Sequence, residues 1–281
     1  MYILDIKEYD NTLNLGQIEE SGQCFRFRHI DTEGCQTFCT ISKGRYLEIS
    51  DLRGGRFCLS CDEGEFRDFW YDYFDLGTDY GTFKNAIDAE DTFMVNAARY
   101  GAGIRILRQD LWEMMISFII SQRKSIPAIR TSIESLCKAY GEPIKEAKEK
   151  VYAFPTPEAL ARLDIEDLKP HGVGYRDKYI LRLARDVCEG RIDIDSYRNM
   201  PEKEAVKALT EIYGVGVKVA NCVSLFGLHN IDAFPEDVWI KRVIEEVYGG
   251  HFPKERYEGF AGVIQQYMFF YGKSKEFRQI C

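Results

Sequence analysis

The stretch ALTEIYGVGVKVANCVSLFGLHNIDAFPEDVW, residues 208–239, sets two helices around a glycine hairpin. Gly214-Val215-Gly216 opens a helix that carries Lys218 in its first turn, and Asp237 follows just after Pro235 at an expected N-cap. Glycines in such a hairpin let main-chain N–H groups approach phosphate oxygens at a helix N-terminus, so the motif suits a DNA backbone. Two glycines before a helix are common. The lysine and the downstream aspartate make the pattern specific. The plain alternative for Lys218 is a solvated surface cation, yet the positive end of the helix dipole disfavours a cation there. That same field favours the neutral amine, which can attack a sugar carbon. Asp237 has the opposite logic: an N-cap carboxylate stays ionised, able to offset positive charge developing on a deoxyribose. Its plain alternative is capping alone. Together the residues point to chemistry on DNA.

Outward from this stretch the chain reads as helical from about residue 83. Residues 109–122, QDLWEMMISFIISQ, are nearly all apolar and predict a central buried helix. Further helices are expected at 125–140, 157–169, 175–190, 202–212, 217–228, 236–248 and 255–271. Residues 1–60 read instead as short strands, FRFRHI, TFCTIS, YLEIS and RFCLS, punctuated by glycines. Residues 62–78 read as an amphipathic helix with aromatics on its buried side. The expectation is an α+β protein: a small antiparallel sheet domain over 1–90, then a helical body over 91–281. The helix–hairpin–helix falls at about 204–228.

With 281 residues, 17 Tyr and 18 Phe the chain can build real cores. No run approaches the ~18 apolar residues of a membrane span. The N-terminus MYILDIKEYD lacks the basic and apolar regions of a secretion signal, so a cytoplasmic location is expected. Nine scattered cysteines suit a reducing compartment. Cys35, Cys39, Cys58 and Cys61 could form a four-thiolate site, but their spacing is imperfect and the residues between look like strands. The net charge of −8 opposes a nucleic-acid partner at first sight. Residues 1–90 hold 9 Lys/Arg against 18 Asp/Glu, which leaves the rest of the chain near neutrality and able to meet DNA through local basic and backbone groups.

Several islands resemble the eukaryotic-type 8-oxoguanine DNA glycosylases of the helix–hairpin–helix glycosylase superfamily. SGQCFRF (Ser21–Phe27) is similar to that family's SGQ-x-FR segment, and Gly103–Ile120 to its central stretch. GVGYRDKY (Gly172–Tyr179), GVGVKVANC (Gly214–Cys222) and GVIQQYMFF (Gly262–Phe270) match further family segments in the family's order.

The resemblance implies a bifunctional DNA glycosylase and apurinic-site lyase acting as a monomer on duplex DNA that contains 8-oxoguanine. Lys218 would attack C1′ and form a Schiff base, and Asp237 would stabilise the oxocarbenium-like transition state. The base, extruded from the stack, would sit between Cys222 and Phe269. Gln265 would read its Watson–Crick edge. The Gly22 carbonyl would accept the N7 hydrogen that 8-oxoguanine has and guanine lacks. Tyr175 would wedge into the stack and Arg176 would contact the orphaned cytosine. Gly214, Gly216 and Val219 would meet phosphates. A monovalent cation would rest on the main-chain carbonyls of Thr210, Ile212 and Val215. No organic cofactor is expected. The four-cysteine iron–sulfur loop of some relatives cannot be built, since only Cys281 follows Cys222.

The chain also departs from the family. Arg123 stands where relatives place an asparagine that fills the vacated stack, and Ala128 where eukaryotic members have a second cytosine-reading arginine. Trp239 replaces a phosphate-touching histidine, and Tyr213 the proline usual before the hairpin. Losing one of two cytosine donors predicts relaxed preference for the opposite base, since each good bidentate contact is worth roughly 1–3 kcal/mol. Three alternatives remain: a glycosylase for other damaged bases, a non-catalytic helix–hairpin–helix DNA-binding module, and an interaction protein with an incidental hairpin.

Overall fold

The computed structural model describes residues 1–10, 12–30, 34–145, 147 and 150–278; Cys281 lies outside them. Five antiparallel strands, β1 (Tyr2–Asp5), β2 (Arg28–Ile30), β3 (Thr37–Ser42), β4 (Arg45–Asp51) and β5 (Arg56–Leu59), form one sheet in the order β1-β5-β4-β3-β2. Register aligns Phe38 with Ile49 and Ile49 with Leu59, three buried side chains on one face. Alternation sends Ile3 and Cys58, paired on neighbouring strands, to the more exposed face. This is the α+β arrangement expected, with two additions: β1 and a short helix, α1 (Leu15–Glu20). In α1 the helical start rests on Asn14, whose side chain accepts from the Gln17 amide at 3.0 Å.

The segment 62–78 is helical without a break over 63–73, with one widened turn inside it. Asp62 caps a single turn at Glu63–Glu65, a wide π turn follows at Phe66–Trp70, and a last turn spans Tyr71–Tyr73. Phe66, Trp70, Tyr73 and Phe74, spaced i, i+4, i+7 and i+8 along one helical stripe, all reach the core under the sheet.

The helical body comprises α2 (Thr92–Tyr100), α3 (Leu111–Ser121), α4 (Ile126–Tyr140), α5 (Asp177–Cys188), α6 (Glu202–Thr210), α7 (Val217–Phe226), α8 (Val238–Tyr248) and α9 (Ala261–Gly272). Helix α3 is buried from Leu111 to Ile120 and runs through the main core, as its composition predicted. Two expectations change. The 157–169 helix breaks into Pro157–Ala161 and Ile165–Leu168, because Asp164 forms a capping box that starts a new helix. The 255–271 helix begins only at Ala261, since Gly259 at φ 92° cannot be helical.

Two cores meet along residues 103–109. Arg105, fully buried, reaches Asp10 at 2.6 Å and the carbonyls of Thr12, Phe74, Asp75 and Thr78. Gln23, equally buried, donates to Ser21 Oγ at 3.0 Å and Arg105 O at 2.9 Å, and accepts from the Leu107 amide at 2.8 Å. Gln109 Nε2 donates to the Gln23 carbonyl at 2.8 Å. These bonds fix the Ser21-Gly22-Gln23 turn against the helical body. Among the described residues, no helix is long and apolar enough to cross a membrane.

Candidate active site

Helix α7 starts where Gly216, in extended conformation, turns the chain. Its first main-chain bond runs from the Ala220 amide to Gly216 O, so the amides of Val217, Lys218 and Val219 precede the ladder and point out of the helix start. The Val219 side chain is buried, which leaves its amide as the group a phosphate can reach. Gly214 is at φ 89°, and a Cβ there would lie 2.3 Å from the Tyr179 ring, so the hairpin sits flush on α5. Gln122 Nε2 donates to Gly214 O at 3.0 Å and ties the hairpin to the end of α3.

Lys218 and Asp237 line one cavity of about 400 Å³ together with Gly22, Cys222, Gln265, Phe269 and Trp239. All the residues the resemblance assigned to catalysis and base binding therefore converge. The Lys218 Nζ lies 5.5 Å from the centre of the Phe118 ring. Lys218 also borders an open groove of about 640 Å³ on its other side. Burial raises the Cys222 thiol pKa, opposed by the Lys218 amine beside it, so this cysteine is a neutral, compact wall. Asp237 Oδ1 accepts from the Trp239 and Ile240 amides at 2.9 Å each, which makes it the N-cap of α8. Gln265 is buried and donates to Pro235 O at 2.9 Å, while Gln266 Nε2 donates to Gln265 Oε1 at 3.0 Å. Gly22 is at φ 75°, and a Cβ there would crowd Ile126 at 3.2 Å and Phe269 at 3.4 Å. Only glycine lets the turn approach the pocket wall this closely.

The groups expected to face DNA sit beside this cavity in the hairpin and the turns before α4 and α5. Tyr175 is 47% exposed, consistent with a wedge. Arg123 is exposed and at φ 51°, a left-handed conformation that costs a non-glycine residue of this kind about 1 kcal/mol or more. Arg176 departs from its expected role as a ready cytosine contact. It is buried, its guanidinium donates to Val173 O at 2.9 Å and to Gln122 O, and it lies over the Tyr175 ring at 4.4 Å. Those inward carbonyls and the ring hold it in the free protein, with its Nε buried and unpaired, so reaching a base requires the side chain to turn out.

At the end of α6, Ile212 O accepts the Val215 amide at 2.9 Å. The carbonyl of Thr210 has no main-chain donor among the described residues. Oxygen donors of this kind fit a hard cation. Among the described residues, no group of three His, Cys, Asp or Glu is placed to hold a metal ion. The proposed thiolate set is dispersed: Cys39 on β3 and Cys58 on β5 are separated by β4.

Residue-level reading missed three contributors. Phe118 lies under the lysine but sits in a helix that is apolar all round, where no pattern marks one face as a wall. Gln122 and Lys124 form cross-links; Lys124 donates to Ser132 Oγ at 2.6 Å and Gly172 O at 2.8 Å. Nothing local announces such long-range partners.

A glycine hairpin, a first-turn lysine and an N-cap aspartate over a base-sized cavity define a helix–hairpin–helix base-excision enzyme. The chain matches the 8-oxoguanine DNA glycosylase N-terminal domain over residues 4–115 and the HhH-GPD superfamily of base excision DNA repair proteins over residues 116–260, and it belongs to that superfamily. Among solved structures it is similar to MBOgg1 in complex with a low-affinity DNA ligand, with 37% identity, a TM-score of 0.87, and coverage of 94% of this chain and 93% of that one. It is equally similar in fold to the Clostridium acetobutylicum 8-oxoguanine glycosylase/lyase in complex with double-stranded DNA containing cytosine opposite 8-oxoguanine. There the identity is 30%, the TM-score 0.87, and the coverage 94% and 92%. The N-glycosylase/DNA lyase of Saccharomyces cerevisiae is 37% identical over 158 residues, which span 52% of this chain and 42% of the yeast protein. The probable N-glycosylase/DNA lyase of Methanothermobacter thermautotrophicus is 29% identical over 226 residues, 70% of this chain and 71% of that protein.

Proposed function

We infer that the protein is a bifunctional DNA glycosylase and apurinic-site lyase that removes 8-oxoguanine from duplex DNA. The observation that carries this is the placement of Lys218 and Asp237 on the same cavity as Gly22, Cys222, Gln265 and Phe269. The extruded base enters between Cys222 and Phe269, which leaves its sugar at the lysine. The Lys218 amine attacks C1′. The C1′–N9 bond breaks, its electron pair leaves with the base, and a proton returns to the base. The carboxylate of Asp237, oriented by two amides, stabilises the positive charge on the sugar. Ring opening gives the Schiff base at C1′. Loss of a C2′ proton then expels the 3′ phosphate by β-elimination.

Ala128, and an Arg176 that is turned inward, support relaxed discrimination among bases opposite the lesion. The hairpin carbonyls of Thr210, Ile212 and Val215 would hold a monovalent cation that firms the phosphate grip. The enzyme acts as a monomer, in the cytoplasm.

Borohydride trapping on duplexes with 8-oxoguanine opposite each of the four bases tests the reading. A lesion-dependent covalent complex is expected, with similar yields across partners. Lys218→Gln should keep lesion binding and lose both trapping and base release, by at least about a thousandfold, or ~4 kcal/mol. Trapping only on another damaged base would replace the substrate. No complex and no base release would leave a DNA-binding module.

A further inference from the structure

Two cations outside the cavity hold the end of α1, immediately before the base-reading turn. Arg130, on α4, donates from Nη2 to the Glu19 carbonyl at 2.7 Å, and its Nη1 pairs with Glu19 Oε1 at 3.3 Å. Lys273, directly after α9, donates from Nζ to the Glu20 carbonyl. The same amine lies 5.0 Å from the Phe269 ring centre and 5.4 Å from that of Phe270. Glu19 and Glu20 are the last two residues of α1, where carbonyls lack helical donors and the dipole favours positive charge. Helix α4 also begins with Ile126 and α9 carries Gln265 and Phe269. Each clamp therefore ties the Gly22 turn to an element that forms another wall of the pocket.

We propose that Lys273 and Arg130 are positioning residues that set where the Gly22 carbonyl stands relative to Phe269, and so set discrimination for 8-oxoguanine. The proposal rests on the 8-oxoguanine reading above. A Cβ added at Gly22 would meet Ile126 at 3.2 Å and Phe269 at 3.4 Å, so the turn packs close against these walls and release of α1 lets it move away from them. A carbonyl displaced by about 1 Å no longer meets the N7 hydrogen, and reacting geometry of this kind is sensitive to such shifts. The Schiff-base chemistry at a preformed abasic site needs no base reading and is left alone.

The test compares Lys273→Met, Arg130→Met and Lys273→Arg with the wild-type enzyme, in single-turnover excision from 8-oxoguanine duplexes and in cleavage of preformed abasic-site duplexes. The Met variants should slow excision about 5- to 150-fold, the span of one lost base-edge contact, with abasic cleavage unchanged. Lys273→Arg should restore excision, because it keeps a cation within reach of the Glu20 carbonyl. Excision that matches wild type, or that falls in step with abasic cleavage, would overturn the proposal. A wild-type enzyme that cleaves abasic sites but leaves 8-oxoguanine in place would overturn the substrate reading instead.

Discussion

At the scale of single residues, Asp237 separates two roles that its position confounds. Its carboxylate caps α8 through the Trp239 and Ile240 amides and also lines the cavity beside Lys218. Asparagine is as good an N-cap as aspartate but carries no charge. Asp237→Asn should therefore leave the melting temperature nearly unchanged while kcat falls about 10²- to 10³-fold, the loss typical of one preorganised electrostatic group. Equal losses of stability and rate would reduce Asp237 to a cap. Lys218 and Asp237 were legible in the sequence because their signals are local: a Gly-x-Gly turn, a first-turn position, an N-cap. Arg176 was legible as a residue but not in its pose. A long guanidinium can face solvent or its own carbonyls, and only the fold brings Gln122 O and Val173 O within its reach.

At the scale of elements, the DNA-facing surface is assembled by cross-links between turns. Gln122 bridges the end of α3 to the hairpin through Gly214 O and to the turn before α5 through Arg176. Tyr179 packs edge-on against both Tyr175 and Tyr213, at 6.0 and 5.0 Å, and under Gly214. The turn after Gln122 includes Arg123 in the left-handed region. Asparagine tolerates that region better than arginine does. Arg123→Asn should raise stability by about 0.5–1 kcal/mol in urea unfolding, within the strain that left-handed non-glycine residues carry. No gain would mean that Arg123 contacts offset the strain. Helices with uninterrupted apolar faces, such as α3 and α7, could be read from pattern alone. The breaks at 157–169 and 255–261 could not be placed, because Asp164 and Gly259 compete with a helical pattern that continues through them. The π turn at Phe66–Trp70 is invisible to periodicity, because Phe66, Trp70, Tyr73 and Phe74 keep an ordinary helical spacing across it.

At the scale of the whole molecule, the sheet unit and the helical body are joined through buried polar groups, which makes their union sensitive to pH. Two groups shape the profile. Burial alone would raise the Asp75 pKa, but bonds from His229 at 3.3 Å, Arg108 at 2.8 Å and Tyr80 at 2.9 Å outweigh it and hold it down. Its contribution is present above the ordinary carboxylate range and is lost as pH falls through the depressed value. Glu113, buried in the first turn of α3, behaves oppositely. Burial pushes its pKa to about 8, with Asp110 and Glu134 adding to the rise and Arg26 opposing it. Folded protein therefore holds a proton on Glu113 at neutral pH that the unfolded chain releases. The stability this contributes is complete below the unfolded pKa of 4.5 and disappears as pH climbs through about 8. A shift of this size has a ceiling of ~5 kcal/mol. Glu113→Gln keeps the neutral shape and removes the titration. In urea unfolding from pH 5 to pH 9 the wild-type protein should lose more stability than the variant, with the gap growing from pH 5, levelling off near pH 8 and reaching a few kcal/mol. Parallel profiles would show that Arg26 keeps Glu113 ionised in the folded state. The junction would then be held by a buried ion pair instead of a buried acid, and removal of the charge would cost stability at every pH.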